Sequence, residues 1–259
     1  LEFIYTSLAI FNSTKKDTVR LEMLQNIVDN CWNVDVWPSF NDYLIDYTKR
    51  SLTAIKSKVE TERLVYFLAG GLSNRGFYYD QKGNLLEALN LYHKSLQLYE
   101  RINNIEGTST TFNNLGVIYS VVGDTTKALE YQRKSLESKK QLKDAKGVAM
   151  SFNNIGSIYE NSNSPFKALS FYEKSLKLST EIDDKRGIAM SYDNIGDIYL
   201  NEEVYGKAHQ FYLKGLKIWT DLGIKVGIST AKNNIANVLI KMGNLSQAKI
   251  FALESYEIA

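Results

Sequence analysis

Cysteine, proline, histidine and net charge are all scarce in this chain, and each scarcity removes a class of protein. A single cysteine, Cys31, in 259 residues cannot form an internal disulfide, so no cross-linked scaffold holds the fold; a buried, inert thiol is its expected state. Two prolines leave long helices almost free of breakers. The only histidines, His93 and His209, have no partners at the spacing of a metal set. Basic residues number 31 and acidic residues 29, a net charge of +2, which supplies no field for nucleic acid or an anionic bilayer. No run approaches the roughly 18 apolar residues of a membrane span.

Signals of targeting and catalysis are equally thin. The opening, Leu1 to Phe11, is apolar but carries Glu2 and lacks a basic leader, so it reads as a short amphipathic helix rather than a complete signal peptide. Gly70-Gly71 is not followed by the Gly-Lys pattern of a phosphate loop. No serine or cysteine stands with a histidine in a nucleophile context, and no carboxylate pair is singled out by spacing. The expectation is a protein that is not an enzyme and uses no metal or cofactor. The compartment stays open between cytoplasm and periplasm, because cysteine-poor proteins occur in both.

What the chain has instead is repetition. Asn113-Asn114-Leu115-Gly116, Asn153-Asn154-Ile155-Gly156, Asp193-Asn194-Ile195-Gly196 and Asn233-Asn234-Ile235-Ala236 recur at a fixed offset of about 40 residues, with Ser73-Asn74-Arg75-Gly76 as a weaker copy. Tyr79, Tyr119, Tyr159 and Tyr199 keep the same offset, ending at Leu239. So do Ala88, Ala128, Ala168, Ala208 and Ala248, and Ser95, Ser135, Ser175, Gly215 and Ser255. Each unit reads as two helices. In the second, Phe112, Leu115, Tyr119 and Val122 share one helical face, and Gly123-Asp124 then offers a left-handed end followed by an N-cap. The cap column is Asn84, Asp124, Ser164, Val204 and Asn244, and Pro165 suits a first helical position. The second helix ends near the recurring Asn104-x-x-Gly107, Asp144-x-x-Gly147 and Asp184-x-x-Gly187, of which Gly227 alone persists in the next copy.

The order of large and small positions, as in Phe152, Ile155-Gly156, Tyr159, Ala168, Tyr172 and Ser175, resembles the tetratricopeptide repeat (TPR) family. The resemblance runs from Leu72 to the C-terminus, and the repeat looks like the longer-period repeats of kinesin light chain and of bacterial sensor and regulator proteins. A period of about 40 exceeds the usual 34, so the additional residues are expected to lengthen both helices near their connection. The resemblance implies an all-α superhelix of about a dozen helices in antiparallel pairs. We expect five such repeats over residues 61–259, the last incomplete, as one continuous array. Residues 1–60 read as a degenerate capping repeat, with helical periodicity over Asp17 to Asn33 and Ser39 to Lys58 and a boundary at Trp37-Pro38. The chain starts at Leu, and Ala259 falls inside a helix with no closing helix after it. It therefore reads as a piece of a longer protein whose exposed last repeat, around Ile250, Phe251 and Leu253, could self-associate.

The asparagines carry the functional reading. Asn74, Asn114, Asn154, Asn194 and Asn234 form one column, and Ser73, Asn113, Asn153, Asp193 and Asn233 form another beside it. Asparagine is a poor mid-helix residue because its side chain competes for backbone hydrogen bonds, so its recurrence implies a use. The family's groove asparagines, which clamp a bound peptide's backbone, fall where the Asn114 column falls. A primary amide suits that task, with two donors and an acceptor. Bridging of adjacent repeats is the competing role. Next along the first helices come Phe77, Val117, Ser157, Asp197 and Asn237, then Gln81, Val121, Asn161, Asn201 and Lys241. The implied groove is rich in amides, with an acidic spot at Asp193 and Asp197. That spot would either favour a ligand with a lysine, arginine or free amine, or be solvated and paired with nearby lysines. The expected partner is a peptide or protein segment. The alternative is a sensory or dimerisation module of a bacterial signalling protein whose histidine kinase or transcription-regulator output lies outside this chain.

Overall fold

The computed structural model describes residues 2–14, 16–31, 36–54 and 57–258. Among the described residues there are thirteen helices and no strand. They are α1 Glu2–Ser13, α2 Asp17–Asn30, α3 Trp37–Ala54, α4 Lys58–Gln81, α5 Leu85–Arg101, α6 Ile105–Val121, α7 Thr125–Gln141, α8 Ala145–Asn161, α9 Pro165–Glu181, α10 Lys185–Asn201, α11 Tyr205–Asp221, α12 Lys225–Lys241 and α13 Leu245–Ile258. The chain divides into two compact units, Leu1–Ser138 and Lys139–Ala259.

From α5 to α12 every helix has 17 residues. Three-residue connections join them, and two helices with two connections complete the period. Each connection closes its helix in the same way. Its middle residue is left-handed: Gly83, Gly123, Gly223 and Gly243 at φ of 65° to 82°, and Asn103, Lys143, Asn163, Asp183 and Glu203 at 53° to 60°. The third residue's N–H then bonds a carbonyl five residues back, as in Asp124 to Tyr119 and Ser164 to Tyr159, both at 2.9 Å. This pattern satisfies carbonyls that the helix end would otherwise leave unpaired.

The third residue also caps the next helix. Asn84 accepts from Glu87 N–H, Asp124 from Lys127 N–H and Asn244 from Gln247 N–H. Ser164 and Val204 make no side-chain cap, and Pro165 needs no partner for its nitrogen. The Asn104-x-x-Gly107 recurrence belongs to the helix that follows it rather than to the one before. Asn104 accepts from Gly107 N–H at 2.6 Å and Asp144 from Gly147 N–H at 2.8 Å. The glycine is needed there for space: a Cβ on Gly107 would lie 2.4 Å from the Tyr99 ring, and one on Gly227 would lie 2.4 Å from Trp219.

Within a repeat, two contacts hold the first helix to the second. Small residues of the first helix receive a large side chain of the second: Gly76 meets Tyr92, Gly156 meets Tyr172 and Gly196 meets Tyr212, with added-Cβ distances of 3.0, 2.5 and 2.6 Å. Those three tyrosines are among the largest fully buried side chains. In addition the serine column reaches back to a first-helix carbonyl, always 26 residues earlier. Ser95 donates to Ala69 O, Ser135 to Ser109 O, Ser175 to Ala149 O and Ser255 to Ser229 O, at 2.7 to 3.0 Å. Leu115, Ile155, Ile195 and Ile235, all essentially unexposed, fill the remaining space. The Tyr79, Tyr119, Tyr159 and Tyr199 column packs, half-buried, against these clusters.

At the N-terminal end the helices differ from the sequence expectation at their edges. Pro38 lies in the first turn of α3, where its missing N–H is harmless, and Lys58 opens α4 rather than closing α3. The expected helix end at Asn33 lies outside the described residues. Leu21, Leu24, Leu44, Leu64 and Phe67 form this core. In α13, Ile250 and Leu253 are exposed, and Tyr256 with them. Phe251 instead packs against a cluster that joins its own repeat (Ile235, Val238, Leu239 and Ala248) to α11 of the preceding one (Ala208 and Tyr212).

The small-residue column predicts a sign reversal between two glycines. Gly156→Ala overpacks against Tyr172 and should cost about 1–3 kcal/mol. Gly206→Ala, on a helix with nothing within 4 Å of the added Cβ, should be neutral or stabilise by up to about 1 kcal/mol. Denaturant melts of the two variants check this.

Candidate functional site

In the first unit the ladder is set on α4 and α6. Asn74 and Asn114 are half-buried, as expected where a side chain sits between the core and an open face. Gln132 Nε2 on α7 donates to the Asn113 backbone carbonyl at 3.0 Å, and Asn113 Nδ2 approaches Asn114 Oδ1 at 3.5 Å. Ser73 and Asn74 line a pocket of about 230 Å³ bounded also by Gln25, Asp29, Tyr66, Tyr99, Glu106 and Thr110. Asn74 and Asp29 are shared with an adjoining, more apolar pocket walled by Val28, Trp37 and Phe77. Phe77 and Val117 are exposed beside the ladder, so this unit's first helices present apolar as well as amide groups.

In the second unit Asn154, Asn194 and Asn234 are half-buried on α8, α10 and α12. The neighbouring column splits. Asn153 is buried, and its Oδ1 lies 3.4 Å from Ser191 Oγ and 3.5 Å from Asn194 Nδ2 of the next repeat. Asn233 is exposed. One amide thus reaches between repeats, over a long contact. Ser157 and Asn237 are exposed, and so are Met150 and Met190, one turn before Asn154 and Asn194.

Asp193 and Asp197 have partners that neither sequence alternative contains. Trp219 Nε1 donates to Asp193 Oδ2 at 2.7 Å, and Tyr212 Oη donates to Asp197 Oδ1 at 2.6 Å. Glu160 repeats the arrangement, accepting from Tyr172 Oη at 2.7 Å, with Asn201 Nδ2 at 3.3 Å on its other oxygen. Burial raises all three carboxyls. Asp193 is pushed up to about 7, burial outweighing the Trp219 hydrogen bond, with Asp197 adding to the rise. Room for Asp193 comes from Gly215, whose added Cβ would lie 2.4 Å from Asp193 Oδ1. The sequence carried that signal: Gly215 breaks the serine column in the repeat where Asp193 breaks the asparagine column. Asp29, Tyr66 and Glu106 had no such signal, because they meet only in three dimensions. Among the described residues no group of three His, Cys, Asp or Glu is placed to hold a metal ion. No helix there is long and apolar enough to cross a membrane.

The paired helices, small-residue columns and half-buried amides define a helical repeat protein with an open amide-bearing face. The tetratricopeptide repeat profile matches residues 67–141 and 147–221, more than half of the chain, and the chain belongs to that family. No curated protein matches it in sequence. Among solved structures it is similar to BtubC (BKLC) from P. vanneervenii, with a TM-score of 0.70 at 17% identity, covering 87% of this chain and 91% of that one. It is also similar to NprR in complex with its cognate peptide NprX, with a TM-score of 0.69 at 16% identity over 94% and 67% of the two chains. A third is the STAND protein with a tetratricopeptide repeat sensor, PH0952 from Pyrococcus horikoshii, with a TM-score of 0.66 at 18% identity over 95% of this chain and 41% of that one. At these identities the likeness shows the fold.

The raised Asp193 carboxyl gives a pH test. In the unfolded chain an aspartate titrates near ~3.9. The folded form takes up its proton already near pH 7, so the ionised group opposes folding above that pH, and the cost fades as pH falls toward ~4. Asp193→Asn should therefore raise the melting temperature at pH 8, by roughly 2–4 °C per kcal/mol recovered. The gain should shrink strongly by pH 5. Thermal melts of both proteins at the two pH values measure it.

Proposed function

We propose that this chain is a non-catalytic scaffold that binds an extended peptide or protein segment along the Asn74, Asn114, Asn154, Asn194 and Asn234 amides, with Asn113, Asn153, Asp193, Asn233 and Asp197 beside them. The observation that carries the proposal is the recurrence of a half-buried asparagine at one position of successive first helices, where helix propensity disfavours it. A primary amide can hold more than one hydrogen-bond partner at once, and the contact from Asn194 to Asn153 is long, at 3.5 Å. The similar fold of NprR, solved with a bound peptide, supports the reading. Each amide contact would contribute on the order of 1 kcal/mol net, so affinity comes from several acting together and reads backbone more than side chains.

A second reading, a sensing module whose output domain lies outside this chain, is favoured by the Pyrococcus horikoshii protein, in which a repeat sensor belongs to a larger ATPase. The two readings share the ligand-binding face and differ in what the binding controls.

The test is a random-peptide phage library selected on the wild-type chain and re-measured on variants. Selected peptides should bind modestly less well to Asn154→Ala or Asn194→Ala and lose most affinity to the double variant, with melting temperatures nearly unchanged. A large fall in melting temperature at every ladder position would make the asparagines structural and remove the basis of the proposal.

A further inference from the structure

We infer that the pocket between α2, α4 and α6 of the first unit is a cation subsite that takes the lysine or arginine side chain of a bound peptide. The inference rests on the peptide-binding reading and gives that ligand its chemistry.

The pocket, of about 230 Å³, is sized for a side chain rather than a folded surface. Its charged lining consists of Asp29 and Glu106, and no lysine or arginine lines it. Neither carboxylate has a cationic partner among the described residues, although basic side chains outnumber acidic ones in the chain. The two carboxylates come from separate helices, α2 and α6, and line the pocket together with Tyr99. Burial, with Tyr66, Asp29 and Glu106 nearby, pushes the Tyr99 hydroxyl up. Asp29 is held in place, because Gln25 Nε2 donates to its Oδ1 at 2.6 Å, leaving Oδ2 for a ligand. Tyr66 and Tyr99 meet edge to face with ring centroids 6.0 Å apart and give the walls an aromatic surface, which attracts a cation as well as an alkyl stem. Asn74 lies at the junction with the neighbouring pocket, so a backbone held by its amide could place one side chain here and continue beyond it.

These features together select against other occupants. A carboxylate or phosphate would meet two unpaired negative charges. An uncharged polar group would leave both carboxylates without a counter-charge. An ammonium or guanidinium satisfies them, and the guanidinium does so with two parallel donors.

The experiment is an amide NMR titration of the full chain with acetyl-arginine amide, acetyl-lysine amide and acetyl-citrulline amide, the last nearly isosteric with arginine but neutral. The expected result is saturable shifts at the Gly70, Asn74 and Gly107 amides with the arginine or lysine probe, and at least tenfold weaker binding of citrulline amide. Asp29→Asn and Glu106→Gln should each weaken the cationic probe about fivefold or more. Both positions are exposed, so the variants should melt as the wild type does. Equal binding of citrulline amide, or shifts that survive both substitutions, would overturn the inference. Absence of shifts at these amides, while library peptides still bind through Asn154 and Asn194, would overturn the cation subsite and leave the peptide scaffold standing. Saturable cationic binding with no peptide selected would do the reverse.

Discussion

Close approach of two antiparallel helices is the constraint on which the rest of this structure depends. In two repeats it is secured twice, by a glycine that receives a tyrosine (Gly76 with Tyr92, Gly156 with Tyr172) and by a serine hydroxyl (Ser95, Ser175) that bonds the partner helix's backbone 26 residues earlier, and the other repeats keep at least one of the two or a substitute for it. The first contact sets how near the helices come and the second sets their register along the axis. A serine–carbonyl bond contributes only about 1 kcal/mol, yet an unpaired buried hydroxyl would cost more than that, so the pairing selects one register over its neighbours. Everything outside the pair inherits this geometry, including the positions of Asn114, Asn154 and Asn194, two residues before the glycines that face the second helix.

The same constraint explains where the repeats depart from one another. A column tolerates a substitution when its partner column changes with it. Gly215 gives up the serine bond, Asp193 moves a carboxylate oxygen into the vacated space, and Trp219 supplies a donor to the other oxygen. Gln132 stands where other repeats have tyrosine, and its amide turns to the Asn113 carbonyl instead. In the second unit, aromatic donors from the second helices bond Glu160, Asp197 and Asp193, partners that the sequence reading of Asp193 and Asp197 did not include. Burial raises the pKa of all three above the ordinary carboxylate value, against the opposing effect of the aromatic hydrogen bonds.

The two units present different chemistry along equivalent first-helix positions. Phe77 and Val117 stand beside the ladder in the first, and Ser157, Asp197 and Asn237 in the second. Exposed Met150 and Met190 add apolar surface to the second, and the pocket with Asp29 and Glu106 lies in the first.

The repeat period, the helix pairs, the left-handed connections at glycine and the asparagine columns were all legible in the sequence, because each arises from residues near one another in the chain or at a fixed offset. Capping is decided within four residues and helix faces by a 3.6-residue period, and a repeat multiplies such weak local signals until they are unmistakable. Boundaries were legible to within a few residues: Trp37-Pro38 opens α3, and Asn104-x-x-Gly107 follows the end of α5 at Arg101, with Asn104 capping α6. Only tertiary structure decided the partners of Asp193 and Asp197, the burial of Asn153, the packing of Phe251 and the meeting of Asp29, Tyr66, Tyr99 and Glu106 around one pocket. Those outcomes depend on which side chain of a neighbouring helix fills a given space. Burial and hydrogen bonding across that space are set by distances no single helix contains.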